Sequence, residues 1–302
     1  MKREKQVICE EIRESVENPS DLVHDIFAET FWGDHPLGRP ILGTIEAVSG
    51  MSRAQVMNYL SRHYRSEGIV VAAAGAVSHR KLVRLAKQKL DVAPGATGPF
   101  VDAFHNHGPR IRRVTLENSQ THVCLGFPGL RYSSKLKTAA LLLSTYLGGG
   151  MSSVLFQKVR ENRGLAYSVY SYLDYYRDAG VFGVYMASDK RRVAEAFNIA
   201  MKVLGSVKKR AMPSTLLDQV KRQLKGQIGL AMESTMSHMN RLARNELMLG
   251  EFVTINRTMR AIDRVTPAQI LELANRVIDE SSMACACVGV ADGDVFDSLA
   301  RI

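Results

Sequence analysis

The sequence predicts an α+β protein built from two related domains, the first of them incomplete. The 302 residues suffice for two domains of ordinary size. Helical and strand-like patterns are mixed along the chain, and one helix–strand pattern occurs twice. Hydrophobic residues make up 46% of the chain and charged residues 23%, which is typical of a globular protein and not of a disordered one.

The first part of the chain, residues 1–90, is predicted to be mainly helical. Helical periodicity over residues 2–16 ends at Asn18-Pro19, because the residue before a proline is disfavoured in a helix. A second helix follows, with Ser20-Asp21 as its cap and Gly33 as its end. The remaining predictions are an ordered loop at HPLGRPILGT, a helix over 52–63, a strand over 69–77 and a helix from Ser78 to about Leu90.

Residues 91–109 form the predicted linker, because proline and glycine are dense at its start and periodicity is lost. The linker separates a first domain, residues 1–90, from a second domain, residues 110–302. In the second domain we predict strands at RRVTLE, THVCLGFPG, LAYSVYSYL, AGVFGVYMAS and SMACACVGV, with helices between them and a short helix at the end.

An internal repeat supports the two-domain prediction. Aligned without gaps, the segment SRAQVMNYLSRHYRSEGIVVAAAGAV from Ser52 lies over TPAQILELANRVIDESSMACACVGV from Thr266. Identical residues coincide at several positions, including Gln55 with Gln269 and Gly75 with Gly289, and the helix-then-strand pattern is kept. The second copy is complete, whereas the first lacks a counterpart of the segment from Arg110 to about Lys209.

The charge and hydropathy of the chain limit the classes of partner and the cellular location that we expect. The formal net charge of +10 raises the question of nucleic acid, but the charges are scattered and no nucleic-acid motif accompanies them. No apolar run has the length of a membrane helix, and the charged start MKREKQVICEEI is not a signal peptide. We therefore expect a cytoplasmic protein with neither a nucleic-acid nor a membrane partner.

The four cysteines, expected to be buried free thiols, are Cys9, Cys124, Cys285 and Cys287.

Three stretches together resemble the pitrilysin or insulinase family of zinc peptidases, in particular its short-chain branch with the mitochondrial processing peptidases. They are REKQVICEEI, HPLGRPILGT with the following SRAQVMNYLSRHY, and LGGGMSSVLFQKVRENRGLAYSVYSY. The resemblance spans nearly the whole chain. It implies that each domain is an α/β sandwich and that the activity is zinc-dependent hydrolysis of extended peptides.

The first stretch carries two acidic residues, Glu4 and Glu11. Seven residues are nearly two helical turns, so both project from one face about 10 Å apart, too far to share one metal easily. The resemblance implies that Glu11 is a zinc ligand and that Glu4 supports it. The other two ligands and the general base come, in the family, from an upstream His-x-x-Glu-His motif.

None of the eight histidines lies in a His-x-x-Glu-His motif in either direction. His105 and His107 have a spacing that can bind metal, but no acidic or cysteine pair accompanies them, so we interpret them as part of a surface loop. The family's histidine helix would precede Met1. We therefore expect that this chain alone binds zinc weakly and cleaves nothing.

The third stretch carries Arg160 and Tyr167, which bracket the end of a helix and the start of a strand, with a turn at Arg163-Gly164. Spacing alone favours a helix-end cation and a core aromatic that shares a strand face with Leu165 and Val169. The resemblance instead implies that the pair hydrogen-bonds the substrate backbone and stabilises the tetrahedral oxyanion. In short-chain members the pair serves a partner subunit, which implies a homodimer or a heterodimer.

Two hypotheses follow from these stretches. The chain is a zinc endopeptidase subunit that is truncated or acts beside a histidine-bearing chain, or it is a non-catalytic partner that supplies Arg160 and Tyr167. Glu11 favours the first, because a chain without metal binding has no need of that carboxylate. A third hypothesis, a basic nucleic-acid-binding module, explains the charge but none of the three stretches.

Overall fold

The computed structural model describes residues 1–96, 104, 108 and 110–290 and confirms the α+β class. The helices are α1 (Lys2–Glu17), α2 (Pro19–Trp32), α3 (Ile45–Gly50), α4 (Arg53–His63), α5 (His79–Lys89), α6 (Lys137–Gly148), α7 (Val193–Val207), α8 (Ser214–Ala231), α9 (Thr235–Leu249), α10 (Ile255–Arg264) and α11 (Pro267–Val277). The strands are β1 (Arg110–Val114), β2 (Thr121–Pro128), β3 (Ala166–Tyr175), β4 (Gly180–Ser188) and β5 (Ala284–Val288).

The five strands form one mixed sheet in the order β1-β5-β2-β4-β3. β1 and β5 run parallel, and the other neighbouring pairs are antiparallel. β3 therefore lies at an edge of the sheet, and its pairing with β4 contains a β-bulge between Ala166 and Ser168. Such a bulge places one extra residue on the bulged strand and redirects its side chain.

The main hydrophobic core lies between one face of the sheet and the helices of the second domain. Side chains of α6, α7, α8 and α11 pack there against alternate residues of the strands, with Leu125, Phe182 and Met186 almost fully buried. The opposite face is covered by α2, which packs on β1, β2 and β5 through an apolar side. A helix from the predicted first domain thus buries part of the sheet of the second.

The junction between α1 and α2 shows how the sequence sets a helix boundary. Asn18 has extended backbone angles and its side-chain oxygen accepts a hydrogen bond from the Ser20 backbone N–H at 3.1 Å. Asn18 is therefore the N-cap, and Pro19 occupies the first helical position, where its missing N–H is not needed. The prediction of Ser20-Asp21 as the cap was wrong by two residues, because the proline follows the capping asparagine.

The two copies of the repeat begin with the same local structure. Ser52 and Gln55 form a capping box at the start of α4, in which each side chain bonds the other residue's backbone N–H. Thr266 and Gln269 form the same box at the start of α11. The sequence repeat is therefore also a structural repeat.

The copies also end alike. A 3₁₀ turn precedes the strand segment in each, at Ser66–Gly68 and at Glu280–Ser282. Gly75 and Gly289 then have φ angles of 119° and 120°, a conformation that side chains with a Cβ rarely adopt. Two glycines at matched positions with matched φ angles argue against chance similarity of helix–strand periodicity.

The copies differ in what surrounds them. In the second copy β5 lies between β1 and β2, and all five of its residues are buried. In the first copy residues 69–77, predicted as a strand, form no ladder within the described part of the chain, and Val71 and Val77 are exposed. The strand prediction was wrong for this structure because a strand needs neighbours to satisfy its backbone groups, and none of the described residues pairs with this segment as a strand.

The linker and the end of the chain are described only in part. Residues 97–103, 105–107, 109 and 291–302 lie outside the described residues, so the predicted surface loop at His105 and His107 and the predicted terminal helix do as well. The division at 91–109 remains a prediction. Of the helices in the described ranges, none has the length and apolar character needed to cross a bilayer.

Candidate functional site

α1 presents Glu4 and Glu11 on an exposed face. Its opposite face is anchored by Cys9 and Ile12, which are buried against Val48 of α3. Helical spacing then turns Glu4 and Glu11 away from the protein, and both are exposed. Neither side-chain carboxylate makes a hydrogen bond or an ion pair with any residue that the structure describes.

The residues present do not by themselves make a zinc site. No group of three or more His, Cys, Asp or Glu side chains in the described ranges has an arrangement that could hold a metal ion. A structural or catalytic zinc needs at least three protein ligands of this kind. Glu11 is therefore at most one ligand of a site whose other ligands lie outside the described residues.

Arg160 lies in a π-helical turn, Phe156–Glu161, that precedes β3. Its guanidinium lies over the Phe156 ring, 4.9 Å from the ring centroid, a cation–π contact that leaves the N–H groups of the exposed side chain available to a ligand. The Arg160 carbonyl accepts a hydrogen bond from the Gly164 N–H at 2.8 Å. Gly164 has a φ of 60°, which confirms the tight turn predicted at Arg163-Gly164.

Tyr167 is the extra residue of the β-bulge at the start of β3. It is 59% exposed, whereas Leu165 and Val169 are 6% and 5% exposed. The alternative that spacing alone favours, a core aromatic on one buried face with these two residues, does not hold, because the bulge breaks the strand alternation on which it depends. No hydrogen bond to the phenol is formed within the described part of the chain, so the hydroxyl can donate one at the surface.

The three consecutive glycines, residues 148–150, lie behind β3. A Cβ on Gly148 would come within 2.1 Å of the Ser171 backbone nitrogen, so this residue lets α6 approach the strand closely. Gly149 is the C-cap of α6, and Gly150 has a φ of 141°. Gly149 therefore ends the helix, and Gly148 allows its close approach to β3.

A cluster that sequence reasoning missed lies between α2 and the sheet. The His24 ring stacks on Tyr185 with centroids 5.3 Å apart, and its Nδ1 and Nε2 lie 3.5 Å from Cys124 Sγ and Tyr170 Oη. Burial lowers the pKa of His24, opposed by the charge of Asp174. The only sequence signal was a histidine on the otherwise apolar side of α2.

The Cys124 thiol in this cluster is not activated as a nucleophile. Burial raises the pKa of the Cys124 thiol well above its ordinary value, so the thiolate, which is the reactive form, is disfavoured. All four cysteines are free and buried, as predicted. We therefore treat Cys124 and His24 as part of the packing between α2 and the sheet.

The structure thus brings the predicted residues together as two pairs. Arg160 and Tyr167 flank the turn that leads into β3, and Glu4 and Glu11 share a face of α1. Helix α1 packs mainly on α2 and α3, and no hydrogen bond or ion pair connects the two pairs in the part of the chain the structure describes. The first pair can donate hydrogen bonds and the second can accept them or bind a cation.

Comparison with known families gives a match over more than half of the chain. The model of the family described as "Peptidase M16 inactive domain" matches residues 50–224. This range includes both Arg160 and Tyr167 and crosses the predicted linker.

Two bacterial relatives are named uncharacterized zinc proteases. The relative from Streptomyces coelicolor is 36% identical over 286 residues, which cover 91% of this chain and 62% of the relative. The relative from Bacillus subtilis is 34% identical over 282 residues, covering 93% of this chain and 68% of the relative. The chain therefore spans only about two-thirds of the length of these proteins.

Solved structures share the fold at lower sequence identity. The crystal structure of a protease from Helicobacter pylori superposes with a TM-score of 0.87 at 19% identity, covering 95% of this chain and 71% of that one. At this identity the likeness speaks for the fold alone. It agrees with the α+β architecture predicted from the sequence.

Proposed function

The chain belongs to the peptidase M16 family, and from this membership we propose that it forms the downstream part of a zinc endopeptidase. In this proposal Glu11 is one zinc ligand, supported by Glu4, and Arg160 and Tyr167 bind the peptide substrate. The two histidine ligands and the general base come from a polypeptide segment outside these 302 residues.

The observation that carries the proposal is the contrast between the two copies of the repeat. β5 is buried between two strands, whereas its counterpart in the first copy, residues 70–74, has no ladder partner in the described part of the chain. An unpaired strand-like segment, here with Val71 exposed, is a template for pairing with further strands. This favours a further polypeptide segment that supplies the missing strands, and that segment would also bring the histidines.

The face of α1 supports the same conclusion. Val7 lies between Glu4 and Glu11 on this face and is 50% exposed. A second helix that packs over Val7 would explain this arrangement. Cationic or metal-bound side chains of the second helix would then contact the two carboxylates.

Arg160 and Tyr167 have the donor chemistry that peptide hydrolysis needs. A guanidinium and a phenol both donate hydrogen bonds to carbonyl oxygens, and such donors are worth most where negative charge develops in the transition state. Among the described residues, neither side chain donates a hydrogen bond to another side chain. The Arg160 guanidinium contacts the face of the Phe156 ring, and Tyr167 is exposed. An extended peptide held through its backbone fits these donors, and the assembled enzyme would be a homodimer or a heterodimer.

A second candidate is a non-catalytic subunit that shapes the substrate chamber of another peptidase chain. The description of the matched family model as an inactive domain favours it. In that case Arg160 and Tyr167 act on a partner's site, and Glu11 has no metal to bind. Substitution of Glu11 therefore separates the two candidates.

The test is the zinc content of the chain co-purified with a segment of a zinc-protease relative that carries His-x-x-Glu-His. We expect Glu11→Gln to lower the zinc affinity of this assembly at least about 100-fold, because changes even to groups that only support a ligand cost 10–100-fold. Competition with a chelating dye measures the affinity.

Glu14→Gln is the matched control, since Glu14 is an exposed carboxylate on the same helix. It should leave the zinc affinity of the assembly unchanged. Equal zinc affinity of the Glu11→Gln assembly and the parent assembly would exclude Glu11 as a ligand and favour the non-catalytic subunit.

A further inference from the structure

A cavity of about 420 Å³ opens beside Tyr167. It is formed where the turn before β3 faces the loop that leaves β4. Its lining consists of residues 164–166, Tyr167, Asp189, Arg191 and Arg192. The volume is ample for one amino-acid side chain with water.

The cavity has an excess of positive charge. Arg191 makes no ion pair or side-chain hydrogen bond among the described residues. Arg192 donates one hydrogen bond, from Nη1 to the Gly164 carbonyl at 3.0 Å, which fixes the guanidinium at the wall of the cavity. Asp189 is the single acidic residue of the lining, and its Oδ1 accepts from the Arg191 backbone N–H at 2.9 Å.

Neighbouring charges do not cancel this excess. Arg163, just outside the lining, is neutralised by Glu195 at 3.2 Å, while Lys190 makes no ion pair in the described ranges. The cavity also lies at the N-terminus of the 15-residue helix α7, whose dipole adds a partial positive charge. An arginine fork in this setting matches the two oxygens of a carboxylate.

The apolar part of the lining fits the rest of an acidic side chain. Leu165 and Ala166 are each only 6% exposed and belong to the lining of the cavity. Methylene groups can pack on such a surface while a terminal carboxylate reaches Arg191. The lining thus combines cationic groups with a smaller apolar part, and a few placed polar groups usually give a ligand site its specificity.

We propose that this cavity binds a carboxylate of the peptide substrate, with Arg191 as a specificity-determining residue. The inference rests on the proposed function, in which a peptide passes Tyr167. A side chain adjacent to the residue held by Tyr167 then enters the cavity. The carboxylate belongs either to an Asp or Glu side chain or to the C-terminus of the peptide.

Fluorescence anisotropy of labelled peptides with the full 302-residue chain tests the proposal. The peptides form matched sets in which Glu is replaced by Gln or Lys, each with a free or an amidated C-terminus. We expect the Glu peptide to bind about 10-fold more tightly than its Gln counterpart, because a hydrogen bond to a charged group is stronger than one to a neutral group. A Glu-over-Gln preference that persists in amidated peptides identifies a side-chain carboxylate. Tighter binding of free than of amidated peptides, without a Glu-over-Gln preference, identifies the C-terminus.

Charge-matched variants distinguish the cavity from the general basicity of the chain. Arg191→Glu and Arg191→Gln should abolish the preference for the carboxylate. Arg222→Glu should retain it, because Arg222 is an exposed residue of α8 outside the cavity and the change in net charge equals that of Arg191→Glu. Thermal unfolding of each variant confirms that it folds, and the milder Arg191→Gln variant serves if Arg191→Glu does not.

Several outcomes would overturn the proposal: no binding of any peptide, no preference for the carboxylate, or equal loss of the preference in Arg222→Glu. The test distinguishes failure of this proposal from failure of the proposed function. Cleavage by an assembled enzyme without carboxylate preference refutes only the claim that the cavity binds a carboxylate. A carboxylate preference that depends on Arg191, in an assembly that cleaves nothing, supports the cavity and refutes the peptidase.

Discussion

Tyr167→Phe and Arg160→Ala should each lower kcat of the assembled peptidase by about 10²–10³-fold, the usual effect of removing one oxyanion donor. Tyr167→Phe removes a single hydroxyl from a side chain that is 59% exposed, so folding should be unaffected. If the donors act mainly in the transition state, kcat and kcat/KM fall together while KM changes little. Steady-state kinetics with a quenched-fluorescence peptide measures both constants.

Each variant has a matched control in the same chain. Tyr59 is also 59% exposed and lies on α4, so Tyr59→Phe should leave kcat unchanged. Lys158 is an exposed cation in the same π-helical turn as Arg160, so Lys158→Ala should do the same. A Tyr167→Phe enzyme as active as the Tyr59→Phe enzyme would remove Tyr167 from the substrate-binding pair.

Gly148→Ala should destabilise the protein by about 3 kcal/mol or more, at or above the upper end of the usual cost of overpacking. A Cβ at this position would lie 2.1 Å from the Ser171 backbone nitrogen and 2.8 Å from its Oγ. Since the first obstacle is backbone, the strand itself must move, and β3 also carries Tyr167. Chemical denaturation of the chain measures the loss of unfolding free energy.

Gly226→Ala is the control, because Gly226 lies within α8 and a Cβ added there would meet no atom within 4 Å among the described residues. Alanine is the better helix former, so this change should stabilise the protein by about 0.5–1 kcal/mol. Equal effects of the two substitutions would mean that α6 and β3 are not in close contact at Gly148.

Local chemistry made most of the fold predictable. Ser52 and Ser78 are the N-caps of helices that the sequence predicted to begin there, and the five predicted strands of the second domain are all present. These elements depend on signals within a few residues of each other, such as a hydroxyl that accepts a backbone N–H or apolar residues at regular spacing.

Features that depend on distant parts of the chain were not predictable in this way. Residues 69–77 have the composition of a strand, but strand formation needs partners that a local pattern does not reveal. The exposure of Tyr167 comes from a bulge in its pairing with β4, and the position of α2 on the sheet comes from long-range packing. The roles proposed for Glu11, Arg160 and Tyr167 rest on family resemblance and not on periodicity.

In the proposed function, this chain is one part of a peptidase and a histidine-bearing segment is the other. Peptide cleavage by the chain alone, by the histidine-bearing segment alone and by their mixture tests it most directly. We predict cleavage by the mixture only, abolished by a chelator and restored by zinc. Cleavage by the chain alone at the rate of the mixture, or none by a mixture that forms a stable complex and binds zinc, would contradict the claim.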